Sequence, residues 1–415
     1  MTARPLTPMS SNNRMRILLV HQNFPGQFRR IGRVWAEQPG WDVIGLGCQS
    51  APGMPDVRWV RYQTSRQVGA QQHPYLRQME DAVLHGQAAT RAMMQLRQKG
   101  WRPDAILAHP GWGETLYVRD VFPDARLIHF CEWYYGTPDS DQGFDPEFPS
   151  NLDNRAKLRT WNALHLLNLE ACDVGVSPTQ WQRTRHPATY LPKIELAHEG
   201  IDTELLRPDP QAQLKLPNGT VLKAGDPVIT YVARNLEPYR GFHHFMRMLE
   251  KVQKAHPRCH TVIVGGDDVS YGGKPQGFAN WREKMLAEVK LDATRTHFLG
   301  KLPYDDYRRV LQVSAAHVYL TYPFVLSWSM LEAMASGCLV IGSRTGPVQE
   351  VIEDGVNGLL VDFFDAGAMA DRVVAALDNA EAMRPLRQAA QRCVAERYSL
   401  QQGEQAFRRL LLPRE

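Results

Sequence analysis

Two doubly wound α/β domains are what this sequence predicts, and three observations carry the prediction. Short runs rich in Val, Ile and Leu alternate with longer helical patterns, the arrangement that gives parallel sheets with helices on both faces. The alternation runs twice, interrupted at LLRPDP, whose prolines and aspartates read as a linker. A chain of 415 residues also exceeds what one core organises and suits two domains of about 200 residues each. The expected boundaries are a flexible tail over 1–14, one domain over 15–205, a second over 206–395, and a C-terminal helix over 396–415 that can pack back on the first domain.

Composition narrows the class. With 43% hydrophobic and 22% charged residues the chain is globular, and a net charge of +4 from 48 basic and 44 acidic residues gives no reason to expect nucleic acid as a partner. Cys48, Cys131, Cys172, Cys259, Cys338 and Cys393 lack C-x-x-C pairing and sit mostly in apolar segments, so reduced thiols and a cytoplasmic location are expected. No run of about 18 apolar residues occurs, and MTARPLTPMSSNNR lacks the apolar centre of a signal peptide.

MRILLVHQNF opens the first domain with a buried strand, and Pro25 and Gly26 lead to the helical run QFRRIGRVWAEQ. No G-x-G-x-x-G follows that strand, which weakens a dinucleotide reading. Gly26 lets backbone approach a ligand or a facing domain, or is an ordinary turn glycine. The helix places Phe28, Ile31, Val34 and Trp35 on one side and Arg29, Arg30 and Arg33 elsewhere. Such a pattern can rest on an anionic membrane surface; the alternative is a domain helix with a solvated basic face. Strands WDVIGLG and VRWVRY follow, then a helix from about Pro74 to Lys99.

DAILAH ends in His109, and PGWG, with Trp112, leads into a helix over ETLYVRDVF that begins at Glu114. The strand ARLIHF runs into CEWYYG. His109 and Glu132 therefore reach the carboxyl edge of the sheet, where ligands of doubly wound folds bind. A carboxylate set among Cys131, Trp133, Tyr134 and Tyr135 is costly to bury without a partner or a purpose. Residues 136–160 form a long polar loop before the helix RTWNALHLLNLEAC. Its D-S-D invites a metal reading, but Gly-Thr-Pro precedes it instead of an apolar strand, and no metal site is assigned. DVGVSP is a strand, with Ser177 and Pro178 read as the cap and first turn of TQWQRTR.

The second domain begins with a hairpin, LKLPNGTVL, turning at Asn218-Gly219. Its strands are PVITYVAR, HTVIVGG, THFLG, HVYLTYP and CLVIGS; its helices are FHHFMRMLEKVQKAH, NWREKMLAEVK, YDDYRRVLQVS, SMLEAMAS, PVQEVIED and GAMADRVVAALDN. Arg234 and Arg240 stand six residues apart after the first strand, placed to converge on one anion such as a diphosphate. Thr345 and Gly346 open PVQEVIED and offer a second anion site. Glu332, one turn into SMLEAMAS, can accept hydrogen bonds from sugar hydroxyls.

Those segments carry a resemblance. VARNLEPYRGF, THFLGKLPYDDYRRVLQVSAAHVYLTYP, SMLEAMASGCLVIGS and PVQEVIEDGVNGLLV resemble, in order and spacing, the C-terminal half of the retaining family-4 glycosyltransferases of GT-B fold. CEWYYG, NALHLLNLEACDVGVSPTQWQR and HEGIDTELLRP resemble a bacterial subgroup of that family. The resemblance implies two Rossmann-like domains facing across a cleft. It implies transfer of a sugar from a UDP- or GDP-linked donor to a saccharide or lipid-linked acceptor, with retention, without a metal or bound cofactor, in surface-polysaccharide or glycolipid assembly. Peripheral contact with the inner face of the membrane would suit such a role.

Residue by residue, Arg234 and Arg240 would neutralise the donor diphosphate, Arg240 standing where the family commonly has lysine. Glu332 matches the second glutamate of E-x7-E and would bind the ribose. The first glutamate is missing: position 324 is Phe, and E-G-F-G is replaced by Phe324, Val325, Leu326 and Ser327. Leu326, Ser327 and Ser329 would then take over part of the donor contact, and backbone around Gly265 and Gly300 would face the base. Glu132 and His109 would act beside the sugar or acceptor, with Gly26, Trp112 and Glu114 on the acceptor side. Phe324 also keeps open a catalytically silent nucleotide-binding or scaffolding member; an epimerase or a phosphorylase is the alternative within the fold.

Overall fold

The computed structural model describes residues 14–136 and 138–412, so the expected tail lies, Arg14 apart, outside the described residues. The chain divides into two compact units. One contains residues 14–136, 151–199 and 403–412; the other contains 138–150 and 200–402.

The first unit is built on parallel strands β1 (Met15–Val20), β2 (Trp41–Cys48), β3 (Arg58–Tyr62), β4 (Ala105–Ala108), β5 (Arg126–Phe130), β6 (Val174–Ser177) and β7 (Ile194–Leu196). Their spatial order is β3-β2-β1-β4-β5-β6-β7, so the winding reverses between β1 and β4. Successive side chains of a strand face opposite ways, and β1 shows the result. Ile17 and Leu19 pack with Phe28, Ile31 and Trp35, while Leu18 and Val20 pack with Ala88, Ala89 and Met93 of the helix Arg77–Gln98. Phe407 and Leu411, near the end of the chain, complete the first of these clusters. Trp35 Nε1 donates to Glu404 at 3.0 Å, and Arg126 Nε donates to the Leu410 carbonyl at 2.6 Å.

The second unit carries the small antiparallel pair β8 (Gln213–Lys215) and β9 (Val221–Lys223), which turns through Gly219 at φ +90°. Its main sheet has β10 (Val228–Asn235), β11 (His260–Gly266), β12 (Thr296–Gly300), β13 (Ala316–Tyr319), β14 (Leu339–Ser343) and β15 (Leu359–Val361). The order is β12-β11-β10-β13-β14-β15, again parallel, with the reversal between β10 and β13. Both units are thus Rossmann-like, and each has one edge where loops from two diverging halves meet.

Several expectations need correction. The loop expected over 136–160 ends at 151, because the Asn151 side chain accepts from Asn154 N at 2.8 Å and starts the helix Leu152–Ala171. Thr179, not Ser177, caps the next short helix, its hydroxyl receiving Gln182 N at 3.1 Å. ETLYVRDVF is helical only over Val118–Val121; Glu114 and Thr115 are drawn instead into buried hydrogen bonds with Tyr62 and Asn168. PVQEVIED contributes only the short helix Gly346–Gln349. The apolar side of Arg29–Ala36 is not offered to a membrane: Ile31 and Trp35 are fully buried, as is Phe28 just before them. An amphipathic helix packing on a sheet has the same periodicity as one lying on lipid. No helix among the described residues is long and apolar enough to cross a membrane.

Candidate functional site

In the second unit, the chain leaves β10 at Asn235, makes the 3-10 turn Pro238–Arg240, and enters the helix Phe242–Ala255 through Gly241. Gly241 is left-handed at φ +66°, and a Cβ there would meet Leu320 Cβ at 2.4 Å, so the turn needs glycine. This tight entry puts Arg240 inside the unit, only 8% exposed. Its Nη1 donates to Thr321 Oγ1 at 2.7 Å, the Val325 carbonyl at 2.9 Å and Tyr319 Oη at 3.3 Å, and its guanidinium lies 5.6 Å from the Tyr271 ring centre. Every one of these partners is neutral. Burying a cation costs several kcal/mol unless an anion compensates it, and no carboxylate among the described residues pairs with Arg240. Glu237, nearby in sequence, is occupied elsewhere: it accepts from the backbone N–H groups of Ser270, Tyr271 and Gly272 at 2.9–3.1 Å and so fixes the loop after β11.

Arg234 sits at the carboxyl end of β10, exposed and with no ion-pair or hydrogen-bond partner among the described residues. The loop after β13 lies across the strand-order reversal from it. There Phe324 is buried, edge-on to Tyr239 and Tyr271 at 5.5 and 5.0 Å, so an aromatic nest stands where a carboxylate was looked for. Leu326 is buried beside it in sequence. Ser327 caps the helix Trp328–Ala335: its hydroxyl receives Ser329 N at 3.3 Å and lies 3.0 Å from Ser329 Oγ. Glu332, on that helix, is buried and accepts from Tyr307 Oη at 2.7 Å and Tyr304 Oη at 3.3 Å. Thr345 is buried with its hydroxyl 3.1 Å from that of Ser343, and Gly346 begins the four-residue helix. Gly265 and Gly300 close β11 and β12; a Cβ at Gly265 would lie 2.8 Å from the Ala233 carbonyl, while the space beside Gly300 is open.

In the first unit, three loops leave β1, β4 and β5 at the reversal and bring together His21, Gln27, His109 and Glu132. Hydrogen bonds fix the direction of each proton. Asn23 N donates to His21 Nδ1 at 2.9 Å, which leaves the proton on Nε2, 2.5 Å from Gln27 Oε1. Gln27 Nε2 then donates to Glu132 Oε1 at 2.8 Å. Gly111 N likewise donates to His109 Nδ1 at 3.2 Å, so His109 Nε2 carries the proton toward Glu132 Oε2 at 3.1 Å. Glu132 thus receives a bond on each oxygen. Burial alone would raise its pKa, but these partners outweigh it and hold the carboxyl at about 2.

Trp112 stacks on His109 with ring centres 4.4 Å apart and lies 4.9 Å from His21. What approaches Gly26 is the His21 ring: a Cβ at that φ of +49° would come within 2.2 Å of it. Glu114 is the opposite of Glu132. It is fully buried with a hydrogen bond from Tyr62, and desolvation pushes its pKa up to about 7. It therefore belongs to the support of this edge, beneath Tyr62 and His85.

Two family models match the chain: "Glycosyl transferase family 4 group" over residues 39–206 and "Glycosyl transferases group 1" over 214–392. The chain belongs to the family-4 glycosyltransferases. It is 27% identical over 186 residues to D-inositol 3-phosphate glycosyltransferase of Mycobacterium ulcerans, which covers 45% of this chain and 37% of that one. It is 25% identical over 218 residues to a GDP-mannose-dependent alpha-(1-6)-phosphatidylinositol monomannoside mannosyltransferase of Mycolicibacterium smegmatis, covering 48% and 52%. The match thus spans little more than a third of the first relative's length. Among solved structures, sucrose-phosphate synthase of Thermosynechococcus elongatus matches at TM-score 0.70 and 20% identity, covering 96% of this chain and 98% of that one. Anabaena HepE, solved with UDP and glucose, matches at 0.68 and 17%, covering 96% and 99%. These likenesses give the GT-B fold.

Sequence reasoning about this glycosyltransferase missed His21, Gln27 and Glu237. His21 follows β1 as His109 follows β4, so the same strand-end argument would have found it. Gln27 lies 105 residues from Glu132 and carries no local signal. Also missed were Asp145 and His243, paired at 2.9 Å within the second unit although 98 residues apart.

Proposed function

We propose that this glycosyltransferase moves a sugar from a nucleotide diphosphate-sugar, UDP- or GDP-linked, to a saccharide or lipid-linked acceptor with retention of configuration. The observation that carries the reading is Arg240, a buried guanidinium whose described partners are all neutral. A diphosphate supplies the missing charge, and exposed Arg234 on the same strand end adds a second fork. Departure of the nucleoside diphosphate builds negative charge on the leaving oxygen, which two arginines stabilise directly. Serving the donor phosphates in this way leaves no step that calls on a metal. Glu332, matching the second glutamate of E-x7-E, is the carboxylate for a ribose hydroxyl. Glu132, held anionic and oriented by Gln27 and His109, is suited to accept a hydrogen bond from an acceptor or sugar hydroxyl.

The relatives support the donor class in their own right: one is named as GDP-mannose-dependent, and HepE was solved with UDP. We place the transfer in the cytoplasm, in surface-polysaccharide or glycolipid assembly. Phe324 favours a second reading, in which donor binding survives without turnover. The first test is melting with UDP, GDP and ADP, since a ligand at a hundred times its dissociation constant adds about 2.7 kcal/mol. A shift with UDP or GDP is expected; no shift with any of the three contradicts the donor site. Nucleotide release from a panel of sugar nucleotides then separates the readings, because the silent one predicts none.

A further inference from the structure

We propose that Asp145, Glu147, His243 and His244 bind a divalent first-row cation, Zn2+ foremost, which staples the 138–150 segment to the helix Phe242–Ala255. One ligand atom from each of the four lies within 4.8 Å of the others. A tetrahedral Zn2+ site brings such atoms to about 3.3 Å from one another, as bonds of 2.0–2.1 Å require. Binding therefore requires the four side chains to draw together, and Glu147 is the exposed member of the set.

Hydrogen bonding alone does not complete this cluster. Asp145 Oδ2 receives His243 Nε2 at 2.9 Å and Tyr322 Oη at 2.7 Å, and Asp145 Oδ1 receives Glu147 N at 2.9 Å. Two imidazole nitrogens, His243 Nδ1 and His244 Nε2, nevertheless stay buried with no hydrogen-bond partner among the described residues, on residues only 1% and 6% exposed. Leaving a buried polar nitrogen unsatisfied costs about 1–3 kcal/mol, and coordination at His244 Nε2 removes one such cost.

Charge points the same way. Arg247 pairs with Glu147 and, at 2.5 Å, with Glu288, while Asp145 has no Lys or Arg partner among the described residues, so a cation in the cluster meets a carboxylate charge that no guanidinium or ammonium takes. Two imidazoles with two carboxylates suit Zn2+ better than Mg2+ or Ca2+, which take oxygen. On binding, the cation takes the place of the proton between His243 Nε2 and Asp145 Oδ2, and the imidazole stays neutral with its one proton on Nδ1.

This inference does not rest on the transfer reaction. It is tested on the full chain, stripped with EDTA and dialysed, by calorimetric titration with ZnCl2 alone and metal analysis after gel filtration. One Zn2+ per chain is expected, with His244→Ala weakening it at least tenfold. Glu147→Gln, at an exposed position, gives a second variant that does not depend on core packing and should weaken binding several-fold. Failure of the wild-type chain to retain stoichiometric Zn2+, or wild-type affinity in Glu147→Gln together with any folded His244→Ala, overturns the site.

Discussion

At the strand-order reversal of the first sheet, a carboxylate is held with a hydrogen-bond partner on each oxygen; at the same place in the second sheet, a guanidinium is buried among neutral groups. Glu132 is complete as it stands, and His109 and Gln27 keep it charged. Arg240 has only neutral partners among the described residues. One topology thus holds an oriented carboxylate in one unit and a buried guanidinium without a carboxylate partner in the other. Preorganised charge of the first kind costs nothing at the moment of reaction, whereas the second kind stores a cost that ligand binding relieves.

The sharpest way to break this contrast is Arg240→Ala. Turnover with the preferred donor should fall about a thousandfold, the upper range for removing one preorganised donor to a developing anion. A loss under tenfold, read from initial rates of nucleotide release, would mean that Arg240 is a structural cation only.

The two carboxylates of the first unit give a second contrast, in stability. Glu114 has its folded pKa raised from 4.5 to about 7, so the unfolded chain binds fewer protons in that window and stability falls as pH rises through it. Glu114→Gln removes this penalty and should stabilise the protein by about 3 kcal/mol at pH 8, with little change at pH 4.5. Glu132 has its folded pKa depressed from 4.5 to about 2, so its contribution is present above 4.5 and is lost as pH falls toward 2. Glu132→Gln should therefore flatten the acid side of the profile only. Urea melts at several pH values show whether the slopes are opposite, as required.

In activity, Glu132→Gln should lower kcat about a hundredfold while leaving the UDP-induced melting shift intact, separating the unit that holds the hydroxyl side from the one that holds the phosphates. Equal loss of nucleotide binding would erase that separation. The smallest effect belongs to exposed Arg234, whose replacement by Ala should weaken UDP about tenfold by calorimetry.

What the sequence revealed follows from the range of the interactions involved. Strand β1 declares itself in four adjacent apolar residues, β10 in a run broken only by Thr230, and Arg234 and Arg240 lie at and just past the end of β10. Glu132 was visible as a charge among aromatics, but its partner Gln27 lies a hundred residues away, and only the sheet order brings them together. The 138–150 segment lies between two stretches of the first unit and groups with the second, through contacts such as Asp145 with His243 that no local pattern encodes. The helix Arg29–Ala36 is a different case: its periodicity fits both a domain helix and a membrane-surface helix, and only the burial of Phe28, Ile31 and Trp35 shows its apolar side meeting the sheet.

The central claim is that Arg240 waits for a diphosphate, and the most direct measurement compares UDP with UMP on the wild-type chain and on Arg240→Ala by calorimetry. If the claim holds, the substitution weakens UDP at least tenfold more than it weakens UMP. An equal loss for both nucleotides would place Arg240 away from the diphosphate and contradict it.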